Sequence, residues 1–161
     1  MLINDKTYIS VVDSIKNEIK NAQYKTIASV NRELVLLYYN IGHIINENKA
    51  WGNKFIENLA MDIKTEFLDA KGYSVRNLKY MAKFAESYTD YKFVQQVVAQ
   101  ISWGQNIILL DKVHEYDKRI WYVNKTIENG WSRNVLVHQI EGGLYERQAI
   151  AGKISNFENT K

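Results

Sequence analysis

No cysteine and no proline occur among the 161 residues of this chain. Without cysteine there is no disulfide framework and no thiolate metal site, and the chain suits a reducing compartment. Without proline nothing forces a helix to kink or a strand to end, so long helices are expected. Glycine is scarce, with eight residues. They are scattered, several at expected helix ends and two in Gly142-Gly143, rather than clustered after a strand, which argues against a phosphate-cradling loop. The three histidines, His43, His114 and His138, are far apart in sequence. None has metal-ligand spacing to another, so neither a metal nor another cofactor is expected. No Ser or Thr stands in a nucleophile elbow. No apolar run approaches the length of a bilayer span, and Met1-Leu2-Ile3-Asn4-Asp5-Lys6 lacks the plan of a secretory signal. The expectation is a cytoplasmic protein without a membrane partner.

What is present is a core. Hydrophobic residues make up 46% of the chain, enough for one domain or two small ones packed together. Net charge is only +3, so any nucleic-acid binding must come from a local patch rather than from overall charge.

Periodicity predicts a mainly α fold. A first helix, about Lys6 to Gln23, carries Tyr8, Val12, Ile15, Ile19 and Ala22 at three- and four-residue steps. A second, about Thr26 to Asn48, repeats the pattern through Val30, Leu34, Leu37, Ile41 and Ile44, so the two form a helical hairpin. A third follows Trp51-Gly52-Asn53, turns Ile56, Leu59, Ile63 and Phe67 inward, and ends at Lys71-Gly72. A fourth spans Ser74 to about Tyr88. Residues 94–104 read equally as a helical turn or a short hairpin that would make the domain winged. Ser102 caps a short buried helix, and Tyr116, Ile120, Val123 and Ile127 mark another that ends at Asn129-Gly130. The last begins at Ser132 and buries Leu136, Ile140 and Leu144. Gly142-Gly143 lies inside it, at a cost of about 1 kcal/mol for each Gly relative to Ala. The organisation read from this is one helical domain over 1–150, with a hairpin at about 6–48, a helix-turn-helix-like unit at about 53–88 and a second helical unit at about 103–148. Residues 151–161 read as a tail or linker.

One phrase occurs twice: Gly72-Tyr73-Ser74-Val75-Arg76-Asn77 and Gly130-Trp131-Ser132-Arg133-Asn134. Each reads as a helix stopping at Gly and the next starting at a Ser N-cap, with Arg and Asn in its first turn. That is where a recognition helix presents groups to bases and phosphates, although Gly and Ser are also ordinary loop punctuation. Projecting the fourth helix at about 100° per residue gathers Val75, Leu78, Met81, Ala82, Ala85 and Tyr88 on one side. Arg76, Lys79, Tyr80 and Lys83 gather on the other, with Glu86 only near the far end. A solvated face usually mixes charge signs; this one reads as a phosphate-contacting surface.

Carboxylate-x-Lys triplets occur at Glu18-Ile19-Lys20, Glu47-Asn48-Lys49 and Asp62-Ile63-Lys64. All fall on amphipathic helices, whereas nuclease chemistry of that type needs them on adjacent strands, and chance accounts for them. Four Trp and eleven Tyr are many for this length. They fit either a core or interface anchors, so a homodimer or a docking site for a nuclease partner is the rival expectation to DNA.

The run Val98-Ala99-Gln100-Ile101-Ser102-Trp103-Gly104-Gln105-Asn106-Ile107, then Trp121-Tyr122, Thr126-Ile127-Glu128-Asn129-Gly130-Trp131-Ser132-Arg133 and Leu144-Tyr145-Glu146-Arg147-Gln148, closely resembles the N-terminal domain of the YhcG family of PD-(D/E)XK nucleases. Ser74-Val75-Arg76-Asn77-Leu78 with Met81 and Phe84 fits the same domain, and the resemblance extends from about Leu34 to Phe157. It implies a DNA-associated domain of winged or plain helix-turn-helix type that, in the family, precedes a metal-dependent nuclease domain. The chain stops about where that domain begins, so the family's metal ligands and catalytic Lys have no positions here and no enzymatic activity is expected. Gln105 departs from the family's His, which argues against a catalytic imidazole in the Trp103-Gly104 segment. The expected contacts are Arg76, Lys79 and Lys83 to phosphates, and Asn77, Tyr80, Arg133 and Asn134 to bases or sugars, with His138 as a further candidate.

Overall fold

In helix α1 (Lys6–Gln23), Tyr8, Val12, Ile15 and Ile19 are all buried, and the three- and four-residue steps that predict the helix also form its inner face. The computed structural model describes residues 5–23 and 30–159. The chain continues through α2 (Val30–Glu47), a 3-10 turn (Lys49–Trp51), α3 (Asn53–Glu66), α4 (Val75–Ser87) and α5 (Tyr91–Gln96). A second 3-10 turn (Val98–Gln100), α6 (Trp103–Lys112), α7 (Tyr116–Asn129), α8 (Arg133–Glu141) and α9 (Leu144–Asn159) complete it. The fold is mainly α, with no strand among the described residues. The chain groups into two units, Met1–Ala99 and Gln100–Lys161.

In the first unit α2 is the central element, packed by α1, α4 and α5. Val35, Leu36, Leu37, Tyr38, Tyr39, Ile41 and Ile45 are buried, while Val30 is exposed and Leu34 and Ile44 are half-buried. The single stripe expected for this helix is therefore wrong: neighbours on several sides bury most of its circumference. Its expected start at Thr26 lies outside the described residues.

The closest approach in this unit is between α2 and α4. A Cβ added at Gly42 would lie 2.6 Å from the Met81 carbonyl carbon and 2.9 Å from the Ala85 Cβ, so only glycine lets the two helices meet here. One turn further along α2, Asn46 Nδ2 donates to the Ala82 carbonyl at 2.8 Å, and the Tyr39 hydroxyl donates to the Tyr88 carbonyl at the end of α4. Aromatic edges fill the space between, with Phe84 at 5.7 Å from Tyr39 and 5.3 Å from Tyr88. On the α1–α3 side, the Tyr8 hydroxyl donates to Asp62 Oδ2 at 2.7 Å, and Tyr8 packs edge-on to Trp51 and Phe55. Burial and the Asp62 carboxylate both push the Tyr8 hydroxyl well above its ordinary pKa, which keeps it a donor.

Three further expectations change, and the alternative left open over 94–104 resolves to helix. Helix α3 ends at Glu66, capped at Phe67, and residues 67–73 form a loop rather than a helix running to Lys71-Gly72. Residues 94–104 contain no hairpin: Asp90 caps α5 by accepting from the Lys92 and Phe93 amides, and the 3-10 turn and α6 follow. The helix beginning after Ser132 stops at Glu141, because Gly143 adopts φ 70°, a left-handed conformation that interrupts the helical ladder. Residues 151–159, expected to be a tail, continue α9.

The second unit packs α6 against α7 and α8, with α9 against α7 and α8. Leu109, Leu110, Val113, Tyr122, Val123 and Leu136 are buried in it. Trp121, Tyr122 and Tyr145 form an aromatic cluster, with Trp121 at 4.9 Å from Tyr122 and 5.3 Å from Tyr145. All four tryptophans are half-buried, so the large side chains are partly core and partly surface.

Changing Gly42 to Ala should destabilise the folded chain by about 1 to 3 kcal/mol, the usual cost of forcing added volume into a packed contact. A lower urea midpoint with an unchanged m-value checks this, and wild-type stability in the variant would contradict the close-approach explanation.

Candidate nucleic-acid interface

The exposed face of α4 is set by its docking. Leu78, Met81, Phe84 and Ala85 are buried, and Tyr88 just beyond the helix is buried too. Arg76, Lys79 and Lys83 are exposed, and Tyr80 is half-buried. The projection separates most of the two faces correctly, but it leaves Phe84 off the inner one and places there Val75, which borders the outer hollow. Val75, Arg76, Lys79, Tyr80 and Lys83 line a shallow hollow on the outer face. The Arg76 guanidinium sits 5.4 Å from the centroid of the Tyr80 ring.

The charge on this face is not neutralised. Among the described residues Arg76, Lys79 and Lys83 make no ion pair, whereas Lys20, Lys49, Lys112, Lys118 and Lys125 each hold a glutamate. Glu86, the acid at the end of the face, is the partner of Lys49. A neighbouring groove has Ile45, Phe55, Ile56 and Ala82 in its lining, with Lys49, Lys79, Lys83 and Glu86 beside them.

The N-terminus of α4 is firmly built. Ser74 Oγ accepts from the Asn77 amide at 3.1 Å, the expected N-cap. The Asn77 side chain turns back, and its Nδ2 donates to the Gly72 carbonyl at 2.6 Å. Asn77 is thus committed to holding the loop before α4, which departs from the base or sugar contact read from its position. Tyr73 packs edge-on to Tyr38 at 6.0 Å, and burial pushes both hydroxyls above their ordinary pKa.

The second copy of the phrase lies in the other unit. Gly130, in a left-handed conformation, caps α7, and Ser132 Oγ accepts from the Val135 amide at 3.2 Å to start α8. Gly130, Trp131 and Ser132 are the whole link between α7 and α8. The first copy has no such tight turn, since α3 ends well before Gly72. Arg133, Asn134 and His138 are exposed on α8. The Arg133 side chain lies across Gly104, where an added Cβ would be 2.7 Å from its Cδ.

Gln105 has a structural task that sequence reading missed. Its Oε1 accepts from the Ser102 amide at 2.9 Å while its own amide donates to Ser102 Oγ, a capping box. Its Nε2 donates to the Trp131 carbonyl at 2.6 Å, which ties the start of α6 to the α7–α8 link. The Ser-x-x-Gln spacing is the signal that could have revealed the box. Among the described residues no group of three or more His, Asp or Glu side chains is placed to hold a metal ion. No helix there is long and apolar enough to cross a membrane.

An all-helical domain with an unneutralised cationic helix face is what these features define. The chain matches the DUF1016 N-terminal domain over residues 14–147 and belongs to that family, the same N-terminal domain to which the YhcG resemblance points. No curated protein and no solved structure matches the chain.

Asn77→Ala should lower stability by about 1 kcal/mol through loss of its bond to the Gly72 carbonyl. The same variant should leave any oligonucleotide affinity at its wild-type salt dependence, read by chemical denaturation and anisotropy on one preparation. Unchanged stability with a selective loss of affinity would return Asn77 to the interface.

Proposed function

We propose that this chain is a nucleic-acid-binding domain, with DNA the expected form, that catalyses no reaction itself and uses the outer face of α4 as its principal contact. The observation that carries this reading is the gathering of Arg76, Lys79 and Lys83 around Tyr80 on one face with no ion pair of their own among the described residues, while Glu86 at the end of that face is paired with Lys49. Cations left without carboxylate partners on a rigid helix attract a polyanion and release its counterions on binding. Arg76, Lys79 and Lys83 contact phosphates, and Tyr80 meets a base or sugar. Arg133, Asn134 and His138 on α8 form a second, smaller set of contacts. The resemblance to the YhcG family supports a role beside a nuclease, and a cytoplasmic location fits the reading.

A second reading is favoured by Met61 and Leu68, which are 65% and 79% exposed. Together with Ala60, Ile63 and Ala70 they line an apolar groove at the end of α3. Such a groove suits a homodimer or a docked nuclease subunit.

Fluorescence anisotropy with labelled duplex and single-stranded DNA across a salt series tests the first reading. Lys79→Ala and Lys83→Ala should each weaken binding on every sequence and reduce the salt slope by about one unit. A folded chain that binds no oligonucleotide at low salt would contradict it and direct attention to the Met61–Leu68 groove.

A further inference from the structure

Resting on the nucleic-acid reading, we infer that the α4 face takes a single strand with unstacked bases rather than an intact duplex, and that the Arg76–Tyr80 pair is the stacking platform for one base.

Three observations lead there. A helix that reads a duplex does so from its first turn, with amide or guanidinium groups aimed at base edges. In α4 the first-turn amide, Asn77, is spent on the Gly72 carbonyl, Val75 is apolar, and the Arg76 guanidinium is laid over the Tyr80 ring. The first-turn amide is therefore engaged inside the protein, and the guanidinium is set against the ring with its N–H groups left for a phosphate.

What the face displays instead is flat and apolar, bordered by cations. Val75 and Tyr80 share a hollow with Arg76, Lys79 and Lys83. Phosphates alone have no use for an aromatic ring and a valine. In a duplex the base faces are covered by their neighbours, so a ring surface is reached only by a base that has left the stack. A guanidinium plane on an aromatic ring is itself a surface on which a base stacks.

The layout of the strip fits the same ligand. Arg76, Lys79, Tyr80 and Lys83 fall within about 100° of arc and about 10 Å of helix rise. These four share the exposed side of α4 because its opposite side is buried against α2, and Glu86 beside them is paired with Lys49. A narrow cationic strip with an aromatic beside it follows one backbone and receives one base on the Arg76–Tyr80 pair.

The test compares three labelled probes of equal length on the full chain: oligo(dT), an abasic strand with the same phosphates, and a duplex. Oligo(dT) should bind at least about fivefold tighter than the abasic strand, the low end of what stacking one base contributes. Tyr80→Leu should remove most of that difference with an unchanged salt slope, and Tyr80→Phe should retain it. If oligo(dT) and abasic strands bind alike to the wild-type chain, or if the duplex binds more tightly than oligo(dT), the inference is overturned while the nucleic-acid reading stands. If none of the three probes binds, both fall. The wild-type comparison decides the matter even where Tyr80→Leu fails to fold.

Discussion

The absence of a side chain at Gly42 is the constraint from which the first unit follows. With no Cβ there, α4 comes to rest with the Met81 carbonyl against the α2 backbone and Ala85 alongside. Asn46 then reaches the Ala82 carbonyl, and Tyr39 reaches the carbonyl of Tyr88, so both the middle and the end of α4 are fastened to α2 by side chain to backbone bonds. These contacts fix the rotation of α4 about its own axis. Leu78, Met81, Phe84 and Ala85 go inward, and Arg76, Lys79 and Lys83 have no choice but to face out. A helix held less closely could turn and bury part of its charged face against neighbours. Held this way it presents Arg76, Lys79 and Lys83 together on a rigid support, and on the proposed reading that arrangement binds a polyanion without reorganising.

Each unit also contains a local clamp at the start of a helix. In the first, Ser74 and Asn77 fasten the loop before α4 to its first turn. In the second, the Ser102–Gln105 capping box is joined to the Trp131 carbonyl, and Arg133 lies over Gly104. The twice-used Gly-aromatic-Ser-x-Arg/Asn wording is thus partly architectural. Its Ser caps and its glycines shape chain turns, and in the first copy its Asn does so as well. On the proposed reading the arginines, and the lysines that follow Arg76, are the part that meets a ligand.

Legibility in the sequence tracks how local each cause is. The stripe of α1, the Ser caps at Ser74, Ser102 and Ser132, and the two faces of α4 depend on spacing within one helix, and apart from Val75 and Phe84 on α4 they are as the sequence predicts. The burial of α2 on several sides depends on which helices surround it, and no single-helix period carries that. Gly42 reads as an ordinary helical glycine until the helix crossing is known. The Gly142-Gly143 pair looked tolerable in a continuous helix, yet Gly143 uses its left-handed freedom and the chain breaks there. Asn77 illustrates the same limit at the site: its place in the first turn predicted a ligand contact, and only the position of the Gly72 carbonyl reveals its partner.

Nuclear magnetic resonance mapping of backbone amides during titration with a short single-stranded oligonucleotide tests the role of α4 most directly. The largest shifts should fall on Arg76, Lys79, Tyr80 and Lys83 and fade as salt is raised. Shifts confined to the Met61–Leu68 groove, or none at an oligonucleotide concentration well above the protein's, would contradict it.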